Sequence, residues 1–203
     1  MRFYSYVVAR DYGFAPNPFG GICTLATCKP QIRKGATIGD WVIGTGSTQN
    51  SKENHVIFLM RITKKITFNE YWNDPDYLFK RPVMNGSLKQ MYGDNIYHTE
   101  NGDWVQEDSH HSYENGKVNQ HNLDRDTSVD FVLLSDDFYY FGIMAPQMPE
   151  EIAEYIRKKG PGFRCPEESY GLKLVEFVKS NYEQGYNDEP TQFLNFERYN
   201  GTS

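Results

Sequence analysis

Short runs of β-branched and aromatic residues, cut at close intervals by Gly, Pro, Asn and Asp, limit what this 203-residue chain can fold into. Runs of this length suit strands, and the punctuation between them calls for turns rather than long helices. Residues 2–9 (RFYSYVVA) read as a first strand and 23–27 (CTLAT) as a second. Residues 41–44 (WVIG) read as a third that ends in Thr45-Gly46-Ser47, and 56–66 as one long strand. Residues 130–134 and 139–143 bracket Ser135-Asp136-Asp137 as a hairpin would. Between the first two strands lies DYGFAPNPFGG (11–21), whose two prolines and three glycines forbid a regular element.

Helical signals are few. Pro30 can open a short turn through Ala36, and 68–72 suits one turn more. Residues 149–158 carry acids at the start and bases at the end, as a helix dipole favours. Residues 169–182 put Leu172, Val175, Val178 and Tyr182 on one face. The stretch 82–126 has little periodicity and is dense in Asn, Gly, Asp, His and Tyr. Within it, Gly102 and Asn115-Gly116 signal hairpin-type turns, and NLDRDT (122–127) suggests a capped turn that offers Asp124 or Asp126. The last twenty residues are polar and expected at the periphery. With no repeat and no linker, the expectation is one α+β domain over 1–203, β-rich to about residue 145 and helical, then tail-like, from 146.

A net charge of −6 and a pI near 5.4 argue against a strong sequence-independent grip on duplex DNA and favour a small ligand. The three cysteines, Cys23, Cys28 and Cys165, lack zinc-ribbon spacing. No cation neighbours Cys23 or Cys28 in a pattern that would activate a thiol, so both read as buried core. No signal peptide and no membrane-length apolar run is evident, which leads to the expectation of reduced thiols in a cytoplasm. Nothing in the sequence names a cofactor or a metal.

Several strings are long and unusual: YSYVVARDYGFAPNPFGGICTLATCKPQIR (4–33), GDWVIGTGS (39–47), FNEYWNDP (68–75), RPVMNGSLKQMYGDNIYH (81–98), DSHHS (108–112) and VLLSDDFYYFG. In this order the chain resembles the nucleotide modification associated domain 2 family. The resemblance implies a phage or bacterial setting and a link to hypermodification of DNA bases. It brings no residue roles. Gly-Asp-Trp-Val is also similar to a strand of PUA-like domains, and this analogy suggests a small mixed or antiparallel β-barrel with flanking helices.

Five constellations can carry chemistry. Tyr12, Asn17, Phe19 and Gly20 belong to a loop whose glycines expose amide donors, though it serves equally as a tight interstrand loop. Lys29 and Arg33, near the turn at Pro30, suit an anion. Thr45 and Ser47 follow a strand end and can meet a base edge or a phosphate, or simply make a turn. Asn85, Ser87, Lys89, Gln90 and Tyr92 gather carboxamides, a cation and an aromatic, types that read and stack on bases. Asp94, His98, Asp108, His110 and His111 supply carboxylates and imidazoles for acid–base work. The expected ligand is a nucleotide or a modified base, including one flipped out of DNA or in a single strand, with Tyr12, Phe19 or Tyr92 stacking on it. One alternative is an enzyme acting by transfer or hydrolysis, with His98, His110 or His111 as acid–base residue. Another is a viral sponge for a signalling nucleotide.

Overall fold

The computed structural model of the protein describes residues 1–49 and 51–201. In chain order the strands and helices are β1 (Phe3–Val7), β2 (Cys23–Leu25), α1 (Pro30–Gly35), β3 (Trp41–Thr45), β4 (Val56–Arg61) and β5 (Lys64–Ile66). There follow α2 (Phe68–Asn73), α3 (Leu88–Met91), β6 (Tyr97–Glu100), β7 (Asp103–Gln106), α4 (Gln120–Thr127), β8 (Val132–Ser135) and β9 (Asp137–Tyr140). The chain closes with α5 (Glu150–Ile156), β10 (Phe163–Arg164), α6 (Glu168–Asn181) and β11 (Gly185–Tyr186).

Six strands form one mixed sheet in the order β10-β1-β3-β4-β9-β11. A three-stranded sheet, β2-β8-β5, and the β6-β7 hairpin complete the β structure. The α+β class expected from the sequence is what the chain adopts. The closed barrel is not: the large sheet ends in β10 and β11, and no barrel closes among the described residues. The Gly39-Asp40 signal that suggested one is a turn, in which Asp40 accepts from the Thr37 and Arg2 amides at 3.0 and 2.7 Å.

β4 reads as an unbroken apolar run because both of its faces are covered, and Val56 through Met60 are all buried. One core gathers β1, β3, β4 and β9 with Leu25 and Leu133 of the small sheet and Ile152, Leu174 and Val178 of α5 and α6. A second core joins Tyr12 and Phe14 to Phe68, Tyr71, Tyr92, Ile96, Tyr97, Leu123 and Leu134. Among the described residues no helix is long and apolar enough to cross a membrane.

Three local expectations are corrected. Residues 56–66 are two strands: at Ile62 the amide still bonds Asp40 of the large sheet, and at Thr63 it bonds Leu134 of the small one. No Gly or Pro marks that switch, so nothing in the sequence signals it. The hairpin expected around Ser135-Asp136-Asp137 is a crossing between sheets, with β8 paired to β2 and β5 while β9 pairs with β4 and β11. The tail is not peripheral. β11 joins the large sheet, Phe193 and Phe196 pack on the second core, and Ile143 N bonds Glu189 O at 2.9 Å. Gly142 permits that last approach, since a Cβ there would lie 1.9 Å from Glu189 O at a φ of +49°.

Candidate active site

β2 ends at Leu25, and the chain then turns through Cys28 and Lys29 at φ values of 57° and 43°. Two successive non-glycine residues in the left-handed region are disfavoured and need outside support. Asp126 and Arg33 provide it. The Cys28 amide donates to Asp126 Oδ1 at 2.9 Å, and the Cys28 carbonyl accepts from Arg33 Nε at 2.9 Å. Arg33 is fully buried and also donates to the carbonyls of Asp126, Val129 and Phe131 at 2.5, 2.8 and 2.6 Å. One guanidinium therefore ties the turn to the end of α4 and the approach to β8.

The support places three reactive side chains in line. Cys28 Sγ lies 3.8 Å from His111 Nε2, and His111 Nδ1 lies 2.8 Å from Asp126 Oδ2. Arg125 adds its Nη2 at 3.9 Å from the sulfur and its Nε at 3.0 Å from Asp126 Oδ1. The Tyr97 hydroxyl donates to Asp126 Oδ2 at 3.0 Å and receives Gln106 Nε2 at 3.2 Å. The carboxylate is thus fixed by several donors, and it orients the imidazole in turn.

Electrostatics follow the geometry. Burial pushes the Cys28 thiol up, but the His111 charge and hydrogen bond, with Arg125, outweigh it and leave the pKa below the usual thiol value. Burial pushes His111 down, while Cys28 and Asp126 more than offset it and raise its pKa to about 9. Asp126 loses proton affinity despite its burial, because His111 and Arg125 both favour the carboxylate. A thiolate–imidazolium pair held by a carboxylate is the state these shifts favour near neutral pH.

The same three groups offer sulfur, nitrogen and oxygen atoms within 4.8 Å of one another, a donor set that also suits zinc. The imidazole faces the thiol with one nitrogen and the carboxylate with the other. A metal takes only one ring nitrogen, so this is the geometry of a proton relay rather than of convergent ligands.

Cys28 and His111 open onto a cavity of about 640 Å³. Tyr6, Tyr12, Phe14 and Tyr199 supply its aromatic walls, and Arg10, Lys29, Arg157 and Lys158 its cations. Residues 47–49 and 160–162 form part of the border. The tail completes it: Tyr199 N bonds His110 O at 2.7 Å, and Asn122 Nδ2 bonds Tyr199 O at 2.7 Å.

Of the residues singled out in the sequence, Tyr12, Lys29, Ser47, His110 and His111 line this cavity. The His110 pKa is pushed down to about 3, chiefly by burial, so the ring is neutral and donates Nδ1–H to the Glu197 carbonyl at 2.5 Å. The others lie elsewhere. Arg33 is spent on carbonyls. Asp94 is buried between the Thr24 and Tyr71 hydroxyls at 2.5 and 2.8 Å. Asn17 holds Lys80 Nζ at 2.7 Å, and Thr45 Oγ1 bonds Tyr6 O at 3.3 Å. His98 stacks on Trp72 with centroids 4.0 Å apart, and Asp108 pairs with Arg198 at 2.7 Å. Phe19 packs on Phe193 and Tyr186, and a Cβ at Gly20 would meet Phe79 at 2.1 Å.

The 85–92 segment does not reach the cavity. Asn85 is exposed, Ser87 and Gln90 cap α3, and Lys89 sits over the Tyr186 ring. Tyr92 is buried with its hydroxyl on Asn195 O at 2.9 Å. Cys28, Asp126 and Arg125 complete the reactive group. Asp126 stood among the carboxylates the sequence offered. Cys28 was read as core because the partners that activate it are 83 and 97 residues away in sequence.

The family model for nucleotide modification associated domain 2 matches residues 1–197. The chain belongs to that family. No curated protein and no solved structure matches it. In this member of the domain 2 family, the Cys28–His111–Asp126 line and its cavity are built within the matched residues, while Tyr199, two residues past that boundary, adds one wall.

Proposed function

We propose that this domain 2 protein is a thiol-dependent enzyme acting on a nucleotide or nucleic-acid base, within a bacterial or phage modification system. Cys28 is the nucleophile, His111 its proton-transfer partner and Asp126 the group that orients His111. The observation that carries this reading is the position of the His111 ring, with Nε2 toward the Cys28 sulfur and Nδ1 on a buried carboxylate. The family's association with nucleotide modification supports the substrate class.

The chemistry balances as a two-step group transfer. The Cys28 thiolate forms a bond to an electrophilic carbon, and the bond to the leaving group breaks as that group takes the proton from His111. Neutral His111 then accepts a proton from water or an amine, which attacks the same carbon. The carbon–sulfur bond breaks, and thiolate and imidazolium are restored.

The test pairs adduct trapping with variants. Incubation with substrate-containing lysate, acid quenching and intact-mass spectrometry should show a covalent adduct on Cys28 that Cys28→Ser abolishes. His111→Ala should slow its formation by about 100-fold or more, within the usual range for loss of an acid–base group. Equal Cys28 alkylation rates in wild type and His111→Ala across pH 6–9 would remove the reading.

A further inference from the structure

We infer that the cavity receives a phosphate-bearing substrate, its phosphate held by the lining cations Arg10, Lys29 and Lys158 and its reacting base or sugar against Cys28. The reacting end rests on the thiol reading above; the phosphate end rests on separate observations.

The first observation is the sign of the lining. The chain carries a net charge of −6, yet among the described residues no Asp or Glu lines the cavity, whereas Arg10, Lys29, Arg157 and Lys158 all do. The second is how those cations are spent. Arg157 pairs with Glu53 and is therefore neutralised locally. Among the described residues no carboxylate forms an ion pair with Arg10, Lys29 or Lys158. Arg10 instead lies over the Tyr199 ring at 4.9 Å and Lys29 over Tyr6 at 4.7 Å, while Lys158 donates to the Lys159 carbonyl at 2.6 Å. These arrangements position positive charge without cancelling it. The Lys29 pKa is lowered, first by burial, so an anion beside it would restore what desolvation removes.

The third observation is size and wall chemistry. A cavity of about 640 Å³ with Tyr6, Tyr12, Phe14 and Tyr199 in its walls suits an aromatic heterocycle joined to a charged group. The phosphate can be the 5′-monoester of a free nucleotide or the diester beside an extruded base, and both present the same oxygens.

The experiment uses the full chain carrying Cys28→Ser, which cannot form the adduct. Calorimetry would compare the four 2′-deoxynucleosides, their 5′-monophosphates and single-stranded tetranucleotides. The expected result is that at least one phosphorylated ligand binds about ten-fold or more tighter than its nucleoside, and that the preference shrinks as salt rises. Tighter binding of monophosphates assigns a free nucleotide; tighter binding of tetranucleotides assigns the nucleic-acid source. The Arg10→Gln/Lys158→Gln pair should erase the preference, and Arg10→Lys should retain part of it. Both residues are at least partly exposed, so an unchanged thermal midpoint verifies folding. Equal affinity for nucleosides and phosphorylated ligands, a preference unaffected by the double variant, or no binding in any arm would overturn the inference. Binding without the trapped Cys28 adduct would instead retain this inference and remove the thiol chemistry.

Discussion

His111 meets opposite demands from two sides, and its behaviour with pH follows. Its pKa of about 9 means that the imidazolium is present below that value and lost as pH rises through it. The Cys28 pKa is lowered, so the thiolate is present from below the ordinary thiol range upward. Turnover that needs both should rise on the acid side and fall as pH passes about 9, a bell that initial rates would reveal. Alkylation by iodoacetamide needs only the thiolate and should rise and then stay level, while in His111→Gln the rise should move to higher pH. Arg33 makes a second prediction. It satisfies four carbonyls from a fully buried position, so Arg33→Met should cost roughly 3–5 kcal/mol in urea unfolding by leaving them unpaired. Both residues show where sequence reading ends. His111 was recognisable as one of a clustered set of histidines. Arg33 looked like an anion ligand because composition cannot tell a surface guanidinium from one whose acceptors lie 93 to 98 residues away.

Elements whose own residues carry a strand, helix or turn pattern were legible. β1, β3, α5, α6 and the Asn101-Gly102 turn of the β6-β7 hairpin lie close to where periodicity and turn residues put them. The bend that splits residues 56–66 was hidden because its cause is a change of hydrogen-bond partner. α4 was hidden too: its eight residues are mostly polar, with only Leu123 as a large apolar anchor, so no hydrophobic stripe announced it. The tail was misjudged for the same reason. Its polar groups are spent on the rest of the chain, as when Asn119 Nδ2 donates to Asn200 O at 3.0 Å and the Tyr12 hydroxyl donates to Glu197 at 2.5 Å. Ending the chain after Asp188 would remove Phe193 and Phe196 from the second core and Tyr199 from the cavity. Thermal unfolding should detect a loss of about 2–4 kcal/mol. Phe196→Ala alone should be milder and leave Cys28 alkylation near the wild-type rate.

For the molecule as a whole, the cavity and the surface carry opposite charge. The overall charge of −6 repels an intact duplex at long range, whereas the cations of the cavity act only on what enters it. Fluorescence anisotropy at roughly 150 mM salt should therefore show little binding of a fully paired duplex. A duplex with one mismatched, easily extruded base should bind measurably better if the nucleic-acid source is the correct one. Strong, sequence-independent duplex binding would contradict this picture of the charge.

Cys23 and Cys28 lie on either side of the exit from β2, and their surroundings could hardly differ more. Cys23 is wholly buried, with a pKa raised to about 12, while Cys28 is partly open to the cavity and activated. Unfolding must push them in opposite directions, since Cys23 gains solvent as Cys28 loses the histidine that sharpens it. Labelling read by peptide mass along a urea gradient would then show two curves that converge on the rate of an unfolded thiol. A Cys28 curve that falls before the Cys23 curve climbs would mean that the reactive centre comes apart while the core beneath it still holds.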